Sequence, residues 1–164
     1  MKFLFKTKCI AVSCLLAHSF YAQEKENDSL KVTQLEELVI NSVRAKAKSP
    51  ITFTNVSQKQ IEERNLGQDI PILLNYLPSV VTTTDAGNGV GYTYMRVRGS
   101  DGSRINVTLN GIPFNDSESQ GTFFVNLPDF ASSLQSVQLQ RGIGTSTNGA
   151  GAFGASLNMQ TKSY

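Results

Sequence analysis

The side chains best suited to nucleophilic and metal chemistry lie close to the N-terminus of this 164-residue chain. They are Cys9, Cys14 and His18, which are both cysteines and the only histidine. If that segment is removed, no thiolate or imidazole metal ligand, no disulfide and no Cys/His or Ser/His/Asp arrangement remains. The sequence therefore predicts no thiolate or imidazole metal site and no catalytic arrangement that uses Cys or His. Since no other catalytic, metal or cofactor motif stands out, we expect no catalytic residue, no metal, no cofactor and no enzyme activity.

A glycine pattern near the C-terminal end matches the spacing G-x-G-x-x-G of dinucleotide-binding loops, with Gly149, Gly151 and Gly154. A nucleotide site needs that pattern to open a helix within a βαβ unit, with an acidic residue about 20 positions later. Here a strand-like segment follows instead. We therefore do not predict nucleotide binding.

The first 22 residues have the features of a secretory signal peptide, which would be cleaved after Ala22. Three lysines precede an apolar run over residues 9–16, which is too short to span a bilayer. A lipoprotein signal ending at Cys14 fits less well, because its apolar run would be very short. Cleavage leaves 142 of the 164 residues, a size typical of one domain.

The charge balance of the mature chain argues against nucleic-acid binding. Three of the 15 basic residues lie in the signal peptide, so 12 remain against 13 acidic ones, a formal charge of −1. A basic footprint for nucleic acid is absent. Charged residues make up 17% of the chain, below the roughly 25% of an average domain. This is either ordinary variation or a sign that the surface packs against another polar wall.

The elements that position the remaining motifs are organised around residues 93–114. In residues 93–98, Met95 and Val97 point to one face, and residues 105–109 show the same alternation of apolar and polar side chains. Asn110-Gly111 is a strong turn dipeptide because both residues tolerate positive φ. The pattern predicts a strand, a turn, a second strand and a second turn, with the first two strands forming a central β-hairpin.

The rest of the mature chain reads as short elements and loops. Strands are predicted over residues 51–56, 80–84, 136–140 and 156–160, with loops over 85–92 and 115–122. One helix starts at a capping box of Ser57 and Gln60 and ends at Gly67. A second is capped by Asp69 and carries a buried stripe over residues 70–77, and a short third helix covers residues 127–134. Residues 44–48 are predicted to be an exposed basic linker.

Several motifs together resemble the plug domain of TonB-dependent outer-membrane receptors. They are Arg98-Gly99, the run over 107–113, the run over 137–142, Gly149 to Gly154, and residues 157–162. Their order and spacing carry the resemblance, which covers roughly residues 36–162. It implies an α+β fold with a small mixed β-sheet and short helices, and a plug domain over residues 51–164.

The sequence departs from the family pattern at three places. Asn110 stands where an aspartate is usual, Ile143 where proline is common, and Ala155-Ser156 replaces part of a glycine pair. Asn110 still suits a turn, so the fold is unaffected. The usual pairing of that aspartate with an arginine is not carried over.

The resemblance also assigns a role to the segment ahead of the plug. Residues 23–50 would be a flexible periplasmic tether containing a TonB box at about residues 35–41. A TonB-type energy-transducing protein would bind this box as an added β-strand. The residues concerned are Leu35, Glu36, Glu37, Leu38, Val39 and Ile40.

The resemblance further implies two sets of site residues. The plug's motif residues, with arginines that anchor it through hydrogen bonds, are Arg96, Arg98, Gly99, Asn110, Gly111, Pro113, Arg141, Gly142, Gly151 and Gly154. The loops that face the ligand supply Asn88, Tyr92, Asp116 and Ser119.

By resemblance, the protein is expected to gate import of a small nutrient, such as a siderophore-bound iron complex or cobalamin, at the periplasmic side of the outer membrane. A β-barrel would surround the plug, and its strands are not expected within these 164 residues, so the sequence would be either a fragment of a longer reading frame or an isolated plug. The alternative is a free-standing periplasmic binding module with a plug-like fold and no transport activity.

Overall fold

The computed structural model describes residues 43–144, 146–149 and 151–163, which form seven strands, two short helices and several 3₁₀ turns. The strands are β1 (Phe53–Ser57), β2 (Val80–Thr84), β3 (Thr93–Val97), β4 (Ile105–Leu109), β5 (Ile112–Pro113), β6 (Leu134–Arg141) and β7 (Ala155–Thr161). The helices are α1 (Gln58–Arg64) and α2 (Ile70–Leu73), and the 3₁₀ turns are Gly102–Arg104, Phe124–Asn126, Phe130–Ser133 and Ser146–Asn148.

The strands are divided between two sheets. A five-stranded sheet has the order β1-β6-β7-β4-β5, with β4 and β7 parallel and the other neighbours antiparallel. A separate antiparallel pair contains β2 and β3. The expected α+β fold, a small mixed sheet with short helices, is confirmed.

The predicted hairpin between residues 93–98 and 105–109 is wrong. β3 pairs with β2 in one sheet, whereas β4 pairs with β7 and β5 in the other. The connection contains the 3₁₀ turn Gly102–Arg104 and is longer than a two-residue hairpin loop, so it carries the chain from one sheet to the other.

The second turn of that stretch is confirmed. Asn110 and Gly111 have φ of 51° and 83°, and Leu109 pairs with Ile112 across them. This is the conformation that a two-residue hairpin turn requires. Pro113 lies in the edge strand β5, where its missing N–H costs no ladder hydrogen bond.

Both main helices lie where they were predicted, but each is shorter than predicted. Gln60 Oε1 accepts a hydrogen bond of 3.0 Å from the Ser57 N–H, as in a capping box. α2 ends at Leu73, because the next turn is closed by bonds three residues apart, including Leu77 N–H to Leu74 O. The helix predicted at 127–134 is the 3₁₀ turn Phe130–Ser133.

One core cluster joins both sheets and both helices. It contains Ile61 of α1, Leu74 after α2, Val97 of β3 and Leu157 of β7, all at most 1% exposed. The predicted alternation of β3 is confirmed, since its residues are alternately buried and exposed. Within the described residues, neither helix has the length and apolar character needed to cross a bilayer.

Candidate functional site

The loop over residues 85–92 is held by Asp69, which the sequence predicted as a helix cap. Asp69 does precede α2, but its side chain makes no capping bond. Its Oδ2 instead accepts hydrogen bonds of 3.0 Å from Gly91 N–H and from the Thr93 hydroxyl, and its N–H donates to Gly89 O at 2.9 Å. The loop's polar anchor is therefore this buried carboxylate, 22 residues before Gly91.

Residues 114–123 form a second loop, anchored by Asn115. Asn115 Oδ1 accepts from Val107 N–H at 2.7 Å, and its Nδ2 donates to Ile105 O at 2.9 Å and to Gln120 O at 2.8 Å. One side chain thus joins the loop to β4 and closes it. Asn115 was not singled out from the sequence, where only the Asn-Asp-Ser composition of a turn marks it.

Asp116 organises the same loop from within. Its Oδ2 accepts 2.7 Å and 2.8 Å bonds from the N–H and hydroxyl of Ser119, and one of 3.2 Å from Glu118 N–H. These bonds, chiefly that from Ser119 N–H, lower the pKa of the Asp116 carboxyl. The predicted ligand residues Asp116 and Ser119 are therefore in direct contact with one another.

The other two predicted ligand residues lie on the first loop. Asn88 is exposed and uses Oδ1 to accept from Val90 N–H, while Tyr92 is 56% exposed. In the part of the chain that the structure describes, no hydrogen bond joins this loop to the loop of Asp116. The four residues thus lie two on each loop, and their role in ligand binding stays a prediction.

The two Arg-Gly motifs meet in the structure. Gly142 has φ of 89°, and a Cβ added there would lie 2.9 Å from an Arg98 guanidinium nitrogen. Burial, with a smaller contribution from the Arg98 charge, lowers the pKa of Arg141. Arg98 therefore occupies the space that the missing side chain of Gly142 leaves, beside a second cation.

Arg141 connects three parts of the chain. It is 7% exposed, its Nε donates to Pro78 O at 3.0 Å, and a terminal nitrogen donates to the Thr54 hydroxyl. β6, β1 and the segment before β2 are thereby joined through one guanidinium. Arg96, by contrast, lies on the exposed face of β3.

The two predicted motif glycines near the C-terminus differ in environment. A Cβ on Gly154 would lie 2.3 Å from Ser100 Cβ, so only glycine permits this close approach. Gly151 has open space at the corresponding position. Gly99 has φ of 78° in the turn after β3, which is also a glycine conformation.

The five-stranded sheet has a second face that is polar and yet buried. Gln138 lies opposite Asn158, and Gln140 lies opposite Ser156, all four at most 2% exposed. Thr108 donates to Asn158 Oδ1 at 2.7 Å. From the sequence these alternating polar residues would face solvent.

Residues 43–45 cover part of this polar face. Gln140 Nε2 donates to Val43 O at 2.8 Å, while Gln138 accepts from Ala45 N–H at 2.7 Å and donates to Ala45 O at 3.0 Å. Arg44 donates to Ser136 Oγ at 2.9 Å and to the Ser136 and Asn158 carbonyls at 3.2 Å each.

The prediction of an exposed basic linker is therefore wrong at Arg44. Its guanidinium is half-buried and satisfied by the sheet, and burial lowers its pKa. The other two basic residues of the segment, Lys46 and Lys48, are exposed. The charge of Arg44 gave no indication of this, because its partners are uncharged.

A polar cavity of about 290 Å³ lies against the same face. Its lining includes Asn106 and Thr108 from the sheet, Val43, and Asn148 of the last 3₁₀ turn. Asn148 donates to Gln140 Oε1 at 2.9 Å, whereas its own Oδ1 is buried with no partner among the described residues. The cavity is large enough for several water molecules.

The predicted TonB box, Leu35 to Ile40, and the signal peptide over residues 1–22 lie outside the described residues. Only two positions, Asn41 and Ser42, separate Ile40 from the first described residue, Val43. The predicted box therefore lies just before the segment that covers the polar face in the sequence.

Comparison with known proteins gives one family and a group of solved structures. The family model of the TonB-dependent Receptor Plug Domain matches residues 45–156, more than half of the chain. A search of curated proteins found no match.

The solved structures with similar folds are much longer proteins. The siderophore receptor PirA from Acinetobacter baumannii is 18% identical, with a TM-score of 0.51 over 68% of this chain and 17% of that one. The copper transporter OprC is 18% identical, with a TM-score of 0.55 over 73% and 18% of the two chains. For the ferric yersiniabactin uptake receptor FyuA from Yersinia pestis the values are 19%, 0.50, 73% and 18%. At these identities the likeness establishes the fold alone, and the chain spans less than a fifth of each protein.

Proposed function

Because the chain belongs to the family of TonB-dependent receptor plug domains, we propose that it gates nutrient import through an outer-membrane receptor. The family match over residues 45–156 carries this proposal, and the mixed sheet and buried arginine are consistent with it. The domain has a transport role and no catalytic one. Its place is the outer membrane, on the periplasmic side, inside a β-barrel.

The cargo that we propose is a scarce nutrient such as a siderophore–iron complex or cobalamin. Support comes from the fold, which this chain shares with siderophore receptors and a ferric yersiniabactin uptake receptor. Asn88, Tyr92, Asp116 and Ser119 are the residues that we propose to face it. The two loops that carry them are polar and are anchored to the core by Asp69 and Asn115.

The partner that we propose is a TonB-type periplasmic protein, which binds residues 35–40 as an added strand. Main-chain hydrogen bonds would supply most of the affinity, with alternate side chains adding selectivity. Force applied there would reach the plug through Asn41 and Ser42.

Binding between the exported chain and the periplasmic domain of a TonB protein tests this partner. Val39→Pro removes a main-chain donor from the centre of the box, so we expect at least tenfold weaker binding by titration calorimetry. Thr33→Pro, outside the box, is the matched control and should bind as the unaltered chain does. Equal affinity of all three chains would contradict the proposed box.

Gating itself is tested in the complete receptor that carries this plug. Val39→Pro should abolish energy-dependent uptake while leaving ligand binding at the cell surface intact. If uptake continues at the unaltered rate, the domain is not gated through this segment.

A further inference from the structure

We propose that Asn88 is a site of spontaneous deamidation, and that the fold favours this reaction there over the chain's two other Asn-Gly pairs. The proposal goes beyond the gating function, since it concerns a covalent change in the loop over residues 85–92. The three pairs are Asn88-Gly89, Asn110-Gly111 and Asn148-Gly149. Each lies in a different environment, so their reactivity can be compared within one chain.

Deamidation at an Asn-Gly pair uses the main chain as its nucleophile. The glycine nitrogen loses its proton to hydroxide and forms a bond with the asparagine Cγ. The Cγ–Nδ2 bond breaks, and the nitrogen leaves as ammonia after taking a proton from water. Glycine favours this ring closure because it has no Cβ to hinder the approach.

Water completes the reaction by opening the resulting five-membered succinimide ring. Attack at Cγ gives aspartate, and attack at the main-chain carbonyl gives isoaspartate. The net change is an amide replaced by a carboxylate with release of ammonia, so nothing is oxidised or reduced.

A hydrogen bond within the loop keeps the two reacting atoms of the first pair close together. Val90 N–H donates to Asn88 Oδ1 at 3.1 Å. The ring that this bond closes contains both Asn88 Cγ and the Gly89 nitrogen, as in an Asx-turn. The same donor polarises the Cγ carbonyl and stabilises the negative charge that develops on Oδ1 during attack.

A second hydrogen bond assists removal of the proton from the nucleophile. Gln68 Nε2 donates to Asn88 O at 3.1 Å. This oxygen and the Gly89 nitrogen belong to one peptide group, so a donor at the oxygen stabilises the anion that forms when the nitrogen is deprotonated. Gln68 can approach because Gly89 has no side chain: an added Cβ would lie 2.8 Å from Nε2. Each of the two reacting amides therefore already has a donor on its carbonyl oxygen.

The departing nitrogen of Asn88 is free to leave. The side chain is exposed, and its Nδ2 has no hydrogen-bond partner among the described residues. Ammonia can therefore pass directly into solvent, and water can reach the succinimide ring.

The other two Asn-Gly pairs lack this combination. Asn110 Nδ2 donates to Thr161 Oγ1 at 2.9 Å, so its departing group is held against β7. Asn148 is 2% exposed, and its Nδ2 donates to Gln140 Oε1 at 2.9 Å. The buried Asn148 Oδ1 has no partner in the part of the chain that the structure describes, so no donor polarises that carbonyl. We therefore expect Asn88 to react first, then Asn110, then Asn148.

The modification changes what the loop offers to a ligand. The Asn88 amide presents both a donor and an acceptor, whereas a carboxylate presents acceptors and a negative charge. Asp85 is exposed in the same loop, so the new charge adds to an existing one. Because Asn88 is among the residues proposed to face the cargo, an aged chain should bind anionic ligands less tightly. This consequence alone rests on the proposed function.

Peptide mapping of the full chain by mass spectrometry tests the site. During incubation of the folded chain at neutral pH, conversion at each Asn-Gly pair is followed as a gain of about 1 Da. We expect Asn88 to convert at least tenfold faster than Asn148 and at least threefold faster than Asn110. In urea, where the local sequence dominates, the three rates should agree within about twofold. A rate at Asn88 no higher than at Asn110 or Asn148 in the folded chain would overturn the proposal.

Gln68→Ala tests the donor on the Asn88 main-chain carbonyl. Its loss should slow conversion of Asn88 at least threefold, because the Gly89 nitrogen is deprotonated less readily. If Gln68 only restrained the loop, its removal would instead speed ring closure, so the two roles predict opposite signs. Unchanged or faster conversion would therefore contradict the assisting role.

Two controls accompany this variant. Gln135→Ala, the same substitution at an exposed position of β6, should leave the rate at Asn88 unaltered. Slow conversion of the buried Asn148 in the same sample shows that the fold is retained. These measurements need neither a TonB protein nor a cargo, so their failure is distinct from failure of the gating function.

Discussion

At the residue scale, removal of the Arg141 side chain should lower the stability of the fold. Arg141→Ala leaves Pro78 O and the Thr54 hydroxyl without their donor. We expect a loss of about 1–3 kcal/mol in the free energy of unfolding, because buried polar groups lose partners. Denaturant titration measures this. Arg96→Ala, on the exposed face of β3, should stay within about 0.5 kcal/mol, and equal effects would show that Arg141 has no anchoring role.

Gly142 gives a second prediction at this scale. Gly142→Ala combines a φ of 89° with a contact of 2.9 Å to Arg98, so we expect a loss of about 1–3 kcal/mol. Gly102→Ala is the matched control, since the added Cβ meets nothing within 4 Å there. Thermal unfolding of both variants decides between them. A Gly142→Ala protein as stable as the control would show that Arg98 moves away at no cost.

At the scale of elements, the loop over residues 114–123 should respond to acid. The hydrogen bonds from Ser119 lower the folded-state pKa of Asp116, so they stabilise the loop above the unfolded pKa. That stabilisation disappears as the pH falls through the lowered folded pKa. The Ser119 amide should therefore exchange faster, relative to a core amide, only in strongly acidic solution.

Asp116→Asn provides the control for this acid response. An asparagine can still accept from Ser119 but does not titrate, so the relative exchange of the Ser119 amide should no longer depend on pH. If the unaltered chain shows the same flat profile, the carboxylate does not hold the loop.

The sequence predicted most elements but not their partners. Alternation within residues 93–97 and 105–109 identified both strands, because the alternation of apolar and polar side chains is a local property of the sequence. Pairing depends on distant segments: β4 needs β7, about 50 residues later, and no local signal specifies that.

The same difference between local patterns and tertiary contacts applies to the residues of the candidate site. The turn at Asn110 was predictable from residue type. The roles of Asp69, Asn115 and Arg44 were not, because each depends on a backbone group brought close only by the tertiary fold.

At the scale of the whole described molecule, the single core predicts a single unfolding transition. Leu157 lies in the centre of the sheet and is fully buried, so Leu157→Ala should cost about 2–5 kcal/mol. Because β3 shares this core, Met95 and Leu139 should lose amide protection together. Ile143→Ala, which is exposed, should change stability by less than about 0.5 kcal/mol. Loss of β2 and β3 ahead of the larger sheet would show two independent units.

The order of strands in the larger sheet has a consequence for how the chain acquires its fold. β7, the last strand in sequence among the described residues, lies between β6 and β4, which have no direct pairing with each other. While the chain is being synthesised, the sheet cannot close until Thr161 has emerged. Sequence-distant pairing of this kind slows folding. A polypeptide whose sheet stays open until β7 appears remains extended enough to pass through a narrow channel up to that point of its synthesis.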